Sequence, residues 1–394
     1  MELSGLLELA LERAVREQAP PWEGIRSSGN ALLELQFQSG DHSFTLEVRP
    51  DGSSAGLSVT AETEAARRVL RNALVGRFPL VQDSGERHLL GAAAVHPPAL
   101  LAEAAARIRE ISKTVDTALA ASRPGGEVPP GFLNLLWWDE RPNFGDAVGP
   151  WLAGRLSGLT PVNGRGLGLG TPALATAGSI AGWLEQDGSE IWGSGLMGPL
   201  AGKNLARLRS LNNVRVHAVR GRNTRTELLR KTGWDVPAVY GDPALLLPRF
   251  HAAGGAGTTG GIAVVPHLDH RGCLENTEGP GITLVDVREG VEAVVRQIAG
   301  TGVCVSSSLH GIIVAQAYGV PWVWLRISDR VISGDRYKFE DFFTTLDAGA
   351  VRSCDVPAEA LTPGLIEHLA AGATLPELTI DLDPLLESFP LRRA

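Results

Sequence analysis

At 394 residues the chain is too long for one ordinary core and implies roughly two or three domains. Its 44% hydrophobic and 20% charged residues describe a globular chain, and a net charge of −8 without a basic stripe excludes nucleic acid as the expected partner. Cys273, Cys304 and Cys354 lack C-x-x-C spacing and no apolar run reaches about 18 residues, so zinc, disulfides and an integral membrane segment are not expected, and a cytoplasmic location is.

The opening "MELSGLLELALERAVREQ" reads as an amphipathic helix rather than a signal peptide, because Glu2, Glu8, Glu12 and Arg13 interrupt its apolar positions. Leu32 to Gln38 and Ser43 to Arg49 then alternate apolar with polar residues, the period of half-buried strands. The turn Pro50-Asp51-Gly52 leads to a third strand around "GLSVTA", and helices are expected over Glu62 to Arg77 and Pro98 to Ala121. Residues 1–121 thus form a small α+β domain without a catalytic constellation, followed by a Pro/Gly-rich linker at 122–131.

Beyond the linker, buried apolar runs alternate with amphipathic segments, the pattern of parallel strands covered by helices. Strands are expected at Leu133 to Trp138, Glu190 to Gly193, Val214 to Val219, Ile262 to Pro266, Ile282 to Asp286, Gly302 to Val305 and Trp322 to Leu325. A glycine-rich break at Arg249 to Gly261 separates two Rossmann-like halves, 132–248 and 249–394, expected to face each other across a cleft. The fold class is α/β, and ligands of such sheets sit at the carboxyl ends of the strands.

Candidate site residues cluster at those ends. In "WWDERPNFGDAVGP", Asn143 and Asp146 either cap the next helix or meet a sugar hydroxyl, and Gly145 frees the turn between them. Arg220, after the strand in "HAVRGRNT", either grips a phosphate or carboxylate or serves structure; the Gly-Asp-Pro turn of "VYGDPALLLP" reads foremost as a strand terminator. His267 follows Pro266 at another strand end. "VSSSLHGIIVAQAYGVP" joins a buried strand to a helix start capped by serine and stopped by Gly319-Val320-Pro321. Such a turn suits an anion, to which Ser307, Ser308, Leu309 and His310 lie adjacent; capping and packing alone also account for it. Lys338 in "RYKFEDFF" is either a phosphate-neutralising cation or a solvated lysine.

The succession N-F-G-D, W-G-S-G, A-V-R-G-x-x-T, G-D-P-A-L-L-L-P, V-P-H, S-S-S-L-H-G and K-F-E-D, over Leu133 to Phe343, resembles the polysaccharide pyruvyl transferase family. The resemblance implies a GT-B-like fold and transfer of the pyruvyl group of phosphoenolpyruvate onto a hexose of a surface polysaccharide or its precursor, as a ketal, with release of phosphate. It makes Arg220, His310 and Lys338 catalytic and gives the donor Arg220, Ser307, Ser308, Leu309, His310 and Lys338. Some members carry arginine where this chain has Ser308, so one cationic contact to the anion is either missing here or supplied by hydroxyl and backbone donors. His310 is the expected general acid or the neutraliser of the leaving phosphate. Asn143, Asp146 and His267 are the expected acceptor contacts. No cofactor or metal is expected, with phosphoenolpyruvate as donor substrate.

The saccharide acceptor is free or lipid-linked, and a lipid-linked one would bring the enzyme to the inner membrane surface. The N-terminal domain is a candidate for homo-oligomer formation or for contact with an envelope-biosynthesis partner. Two rivals remain: a GT-B glycosyltransferase using a nucleotide-sugar donor, and a non-catalytic carbohydrate- or metabolite-binding protein.

Overall fold

The computed structural model describes residues 24–26, 33–51, 54–74, 80–83, 87–90, 97–120, 128–165, 168–253 and 260–392. The expected first helix lies outside these residues, as do residues 122–127 of the expected linker and residues 254–259 of the glycine-rich break.

The first sheet is antiparallel and has six strands rather than three: β1 (Gly24–Arg26), β2 (Leu33–Ser39), β3 (His42–Asp51), β4 (Ser54–Ala61), β5 (Leu80–Asp83) and β6 (Arg87–Leu90). Their order is β1-β2-β3-β4-β6-β5. Alternation places Leu35 and Phe37 of β2 and Phe44, Leu46 and Val48 of β3 on one buried face. Helices α1 (Glu64–Leu74) and α2 (Pro97–Ala120) cover that face through Val69, Leu70, Leu101 and Ile108. Helix α1 starts after Thr63, whose Oγ1 accepts the Ala66 N–H at 3.1 Å. β1, β5 and β6 span three or four residues each, too few to show a period.

Two five-stranded parallel sheets follow. The second sheet holds β7 (Phe132–Leu136), β8 (Thr160–Asn163), β9 (Leu174–Ala175), β10 (Glu190–Trp192) and β11 (Arg215–Ala218), in the order β11-β10-β9-β7-β8. The third holds β12 (Ile262–Val265), β13 (Ile282–Leu284), β14 (Val303–Ser306), β15 (Trp322–Ile327) and β16 (Ser353–Val356), in the order β13-β12-β14-β15-β16. β7, β10, β11, β12, β13, β14 and β15 fall within or beside the expected segments, whereas β8, β9 and β16 lack the apolar run that marks a buried strand. The connecting helices are α3 (Phe144–Ser157), α4 (Gly202–Ser210), α5 (Arg222–Thr232), α6 (Arg271–Leu274), α7 (Val291–Ala299), α8 (Leu309–Ala317), α9 (Asp335–Phe343), α10 (Pro363–Ala371) and α11 (Asp383–Glu387). This is a mixed α/β architecture compatible with two Rossmann-like halves.

The three sheets are not separate islands. Val162 and Leu169, beyond the expected linker, are buried in the core of the first sheet. Two side chains reinforce that junction: Asn72 Oδ1 accepts the Asn163 N–H at 2.5 Å, and Arg107 Nη1 donates to Thr160 Oγ1 at 2.7 Å. The two parallel sheets in turn share one core, in which Val148 and Leu152 of α3 meet Val291, Val294 and Val295 of α7. The Phe144 N–H, at the start of α3, donates to Val287 O at 2.8 Å and ties the carboxyl end of the second sheet to that of the third. The end of the chain also crosses back: Trp192 Nε1 donates to Leu385 O at 2.8 Å, and the Phe389 ring sits 4.8 Å from the Trp192 ring. Residues near 385 therefore pack on the first parallel sheet, although their position in the sequence assigns them to the second half.

Candidate active site

Three segments converge on one pocket of about 220 Å³. The first is the start of α3. Asn143 is its N-cap, with Oδ1 accepting the Gly145 N–H at 3.1 Å, and Asp146 sits in the first turn and lines the pocket. Of the roles left open by the sequence, capping belongs to Asn143, and both Asn143 and Asp146 line the pocket. Burial pushes the Asp146 carboxyl up to about 7, against the opposing pull of the Lys338 ammonium and a hydrogen bond from Asn143.

The second segment is the turn Gly178-Ser179-Ile180 after β9. The W-G-S-G motif shapes it: Ser194 Oγ donates to Gly178 O at 3.0 Å and accepts the Ile180 N–H at 3.3 Å, and the Gly195 N–H donates to Gly178 O at 2.9 Å. Gly178 has φ +102°, a backbone that L side chains rarely adopt.

The third segment comes from the carboxyl ends of β12 and β14 together with α9. It contributes His267, Ser308, Leu309, His310 and Lys338 to the same pocket. Ser308 is the N-cap of α8, with Oγ accepting the Gly311 N–H at 3.4 Å, so the strand-turn-helix expected from S-S-S-L-H-G is present. Lys338 is buried and is the common cation of the site, since its charge bears on Asp146, His267 and His310 alike. Burial, reinforced by Lys338, lowers His267 to about 4, and its Nδ1 accepts the Asp269 N–H at 3.2 Å. His267 is accordingly neutral near pH 7.

His310 is also pushed below the ordinary histidine range, first by burial and further by Arg220 and Lys338, while Asp242 pulls the other way. His310 Nε2 lies 3.8 Å from Asp242 Oδ2; both atoms are buried and neither has a hydrogen-bond partner. Asp242, fully buried, is the aspartate of the Gly-Asp-Pro turn, and its Oδ1 accepts the Ala244 N–H at 3.0 Å. That motif therefore does more than end a strand: it sets a carboxylate beside the histidine. Gly145 holds the opposite side, because a Cβ there would fall 2.4 Å from His310 Nδ1. Gly145→Ala is expected to displace the imidazole and destabilise the fold by about 1–3 kcal/mol through overpacking, checked by urea denaturation beside turnover.

Two expected donor contacts sit elsewhere. Arg220 is fully buried and does not line the pocket. Its Nε donates to Asp341 Oδ2 at 3.0 Å, Nη1 to Ser179 Oγ at 2.5 Å and Nη2 to Leu196 O at 2.9 Å. A buried guanidinium needs a counter-charge, and Asp341 of K-F-E-D supplies it, while the same guanidinium supports Ser179 from behind. Thr224 of A-V-R-G-x-x-T joins through its N–H and Oγ1, both donating to Asp341, at 2.8 and 2.7 Å. Ser307 is likewise beneath the surface: its Oγ accepts the His267 N–H at 2.9 Å and fixes that residue.

The structure also adds residues that no motif flagged. Ser179, Trp183 and Met197 line the pocket, and the ion pair of Arg141 with Asp269 at 2.7 Å forms part of its wall. Ser179 follows a two-residue strand, so nothing local in the sequence marks it. Among the described residues no group of three His, Cys, Asp or Glu could hold a metal ion, and no helix is long and apolar enough to cross a membrane.

A search of curated proteins found no match. Residues 191–329, which contain Arg220, Asp242, His267 and His310, match the family model of the polysaccharide pyruvyl transferases.

Proposed function

We propose that the pocket binds phosphoenolpyruvate and two hydroxyls of a hexose and joins them as a pyruvyl ketal, within two Rossmann-like halves arranged as in GT-B enzymes. One observation carries this reading beyond the family match. A buried cation, a helix N-terminus and a carboxyl with its proton affinity near neutrality face the same small volume. Phosphoenolpyruvate brings a phosphate and a carboxylate, and the first turn of α8 together with Lys338 answers that charge.

Chemistry needs a proton at the methylene carbon before an oxygen attacks its neighbour. Asp146 suits that role better than His310, because burial favours the protonated form of a carboxyl and the neutral form of an imidazole. In this scheme Asp146 delivers the proton to the methylene carbon, and the first hexose hydroxyl bonds to the adjacent carbon and gives its proton to His310. The carbon–oxygen bond to phosphate then breaks as His310 returns that proton to the leaving group, and the second hydroxyl closes the ketal as its proton restores Asp146. One hydroxyl proton ends on the new methyl group and the other on phosphate, so the ledger of atoms closes. Asp242 steadies the imidazolium between the two transfers, and Ser179, held by Arg220, offers a hydroxyl to the donor carboxylate.

This reading places the enzyme in the cytoplasm, with a surface-polysaccharide precursor as acceptor. The test is calorimetric binding and thermal stability with phosphoenolpyruvate and, in parallel, uridine diphosphate, on wild type and Lys338→Ala. A ligand at 100 times its Kd stabilises the native state by about 2.7 kcal/mol, well within reach of a thermal scan. Phosphoenolpyruvate binding that is weakened at least tenfold in Lys338→Ala is the expected result. Binding of uridine diphosphate without phosphoenolpyruvate would overturn it in favour of a nucleotide-sugar donor.

A further inference from the structure

Beside the pocket lies a second concavity of about 460 Å³, lined among others by Arg68, Trp137, Trp138, Asp139, Arg165 and Trp183. Trp138 and Trp183 line both spaces, so the two share a wall. We propose that this concavity is a saccharide subsite that holds the sugar unit next to the reacting hexose, and that the N-terminal sheet unit exists in part to complete it.

Four observations combine. First, the wall contains three indoles, two of them only half-buried, in a lining that is otherwise polar and charged. A pyranose has the matching character, an apolar face of C–H groups edged by hydroxyls. Second, Asp139 Oδ2 is buried and has no hydrogen-bond partner. A carboxylate oxygen left so is a ready acceptor for a hydroxyl, and leaving it unanswered carries a desolvation penalty that a bound sugar would remove. Third, the arginines are already anchored: Arg165 lies 4.8 Å over the Trp183 ring, and Arg68 pairs with Glu64 at 3.5 Å. Planar groups held in place lose little freedom on binding, so they can donate to sugar hydroxyls at small entropic cost.

Fourth, Arg68 belongs to α1, outside the segment that matches the pyruvyl transferase family. That helix is fixed against the first parallel sheet by the bond between Asn72 and Asn163 and by the shared core around Val162. Asn163 also lines the concavity, and its Nδ2 donates to Trp137 O at 2.8 Å. Asn163 therefore belongs both to the junction between the two units and to the wall of the subsite, and α1 supplies a residue to each. The direction assigned to the acceptor, reacting hexose in the pocket and its neighbour here, rests on the pyruvyl-transfer reading; the affinity for a saccharide does not.

The experiment uses the full chain on an array of defined mono- to hexasaccharides drawn from surface polysaccharides, with phosphoenolpyruvate stabilisation measured in parallel. Wild type is expected to retain at least one oligosaccharide about tenfold more tightly than its terminal monosaccharide, equivalent to about 1.4 kcal/mol. Arg68→Ala and the near-isosteric Asp139→Asn are each expected to abolish that preference for length while leaving phosphoenolpyruvate stabilisation in place. Asp139→Asn keeps the test valid if loss of Arg68 loosens the helix. No glycan retained, retention independent of length, or variants that keep the preference would each overturn the subsite. If oligosaccharides bind with the expected preference but phosphoenolpyruvate does not bind, the subsite stands and the pyruvyl-transfer reading falls.

Discussion

Asp146→Asn is expected to lower kcat by about 10²–10⁴-fold, the range for loss of a positioned proton donor. Asparagine keeps the size and the hydrogen bond to Asn143 but cannot hand over a proton. The pH dependence gives a second readout. With its carboxyl pushed up to about 7, Asp146 carries the required proton below that pH and loses it above, so wild-type activity should fall on the alkaline side near 7. Stability should move with the same group. A folded-state value raised from the ordinary 3.8 means that the stabilising contribution of the proton is complete below 3.8 and lost as pH rises through 7. Asp146→Asn, neutral throughout, should therefore be more stable than wild type at pH 8 and no more stable at pH 3.5. Urea titrations at the two pH values check this, and a variant with unchanged kcat would return the proton to His310.

Arg220→Ala is expected to destabilise the protein by about 3–5 kcal/mol, because it strands Asp341 as an unpaired charge in a fully buried position. A residue that only gripped substrate from the pocket wall would weaken binding with little effect on folding. The discriminating companion is the double variant Arg220→Leu with Asp341→Leu, which removes both charges and should recover part of the stability. It should still lose activity, since Ser179 is left without the guanidinium behind it. Equilibrium denaturation and turnover on the same preparations separate the two effects. If Arg220→Ala proves as stable as wild type, the buried pairing with Asp341 is not the role of this arginine.

Much of the architecture was legible because it follows from periodicity. Alternation marked β2 and β3, apolar runs marked β12, β14 and β15, and serine before an apolar helix marked the turn at Ser308. β8, β9 and β16 escaped because they lack an apolar run, and Leu174–Ala175, only two residues long, owes its pairing to neighbours distant in sequence. The site divides the same way. Asn143, Asp146, His267, Ser308, Leu309, His310 and Lys338 stand next to strand ends or helix starts and do line one pocket. Arg220 stands at such an end too, yet points inward, because the choice between ligand and counter-ion depends on Asp341, 121 positions away. The pairing of Asp242 with His310 was hidden for the same reason: a Gly-Asp-Pro turn looks alike whether or not a histidine arrives beside it.

The return of the chain end to Trp192 bears on the order in which the protein is made. During synthesis from the amino terminus, β10 leaves the ribosome long before Leu385 and Phe389 do, and until then Trp192, fully buried in the finished fold, has an indole N–H without its acceptor and an uncovered ring. The first parallel sheet is thus unfinished until Leu385, 193 positions further along the chain, has been made. A chain truncated before Leu385 would leave that indole N–H without its acceptor and the ring uncovered, an aromatic surface of the kind that chaperones and proteases survey.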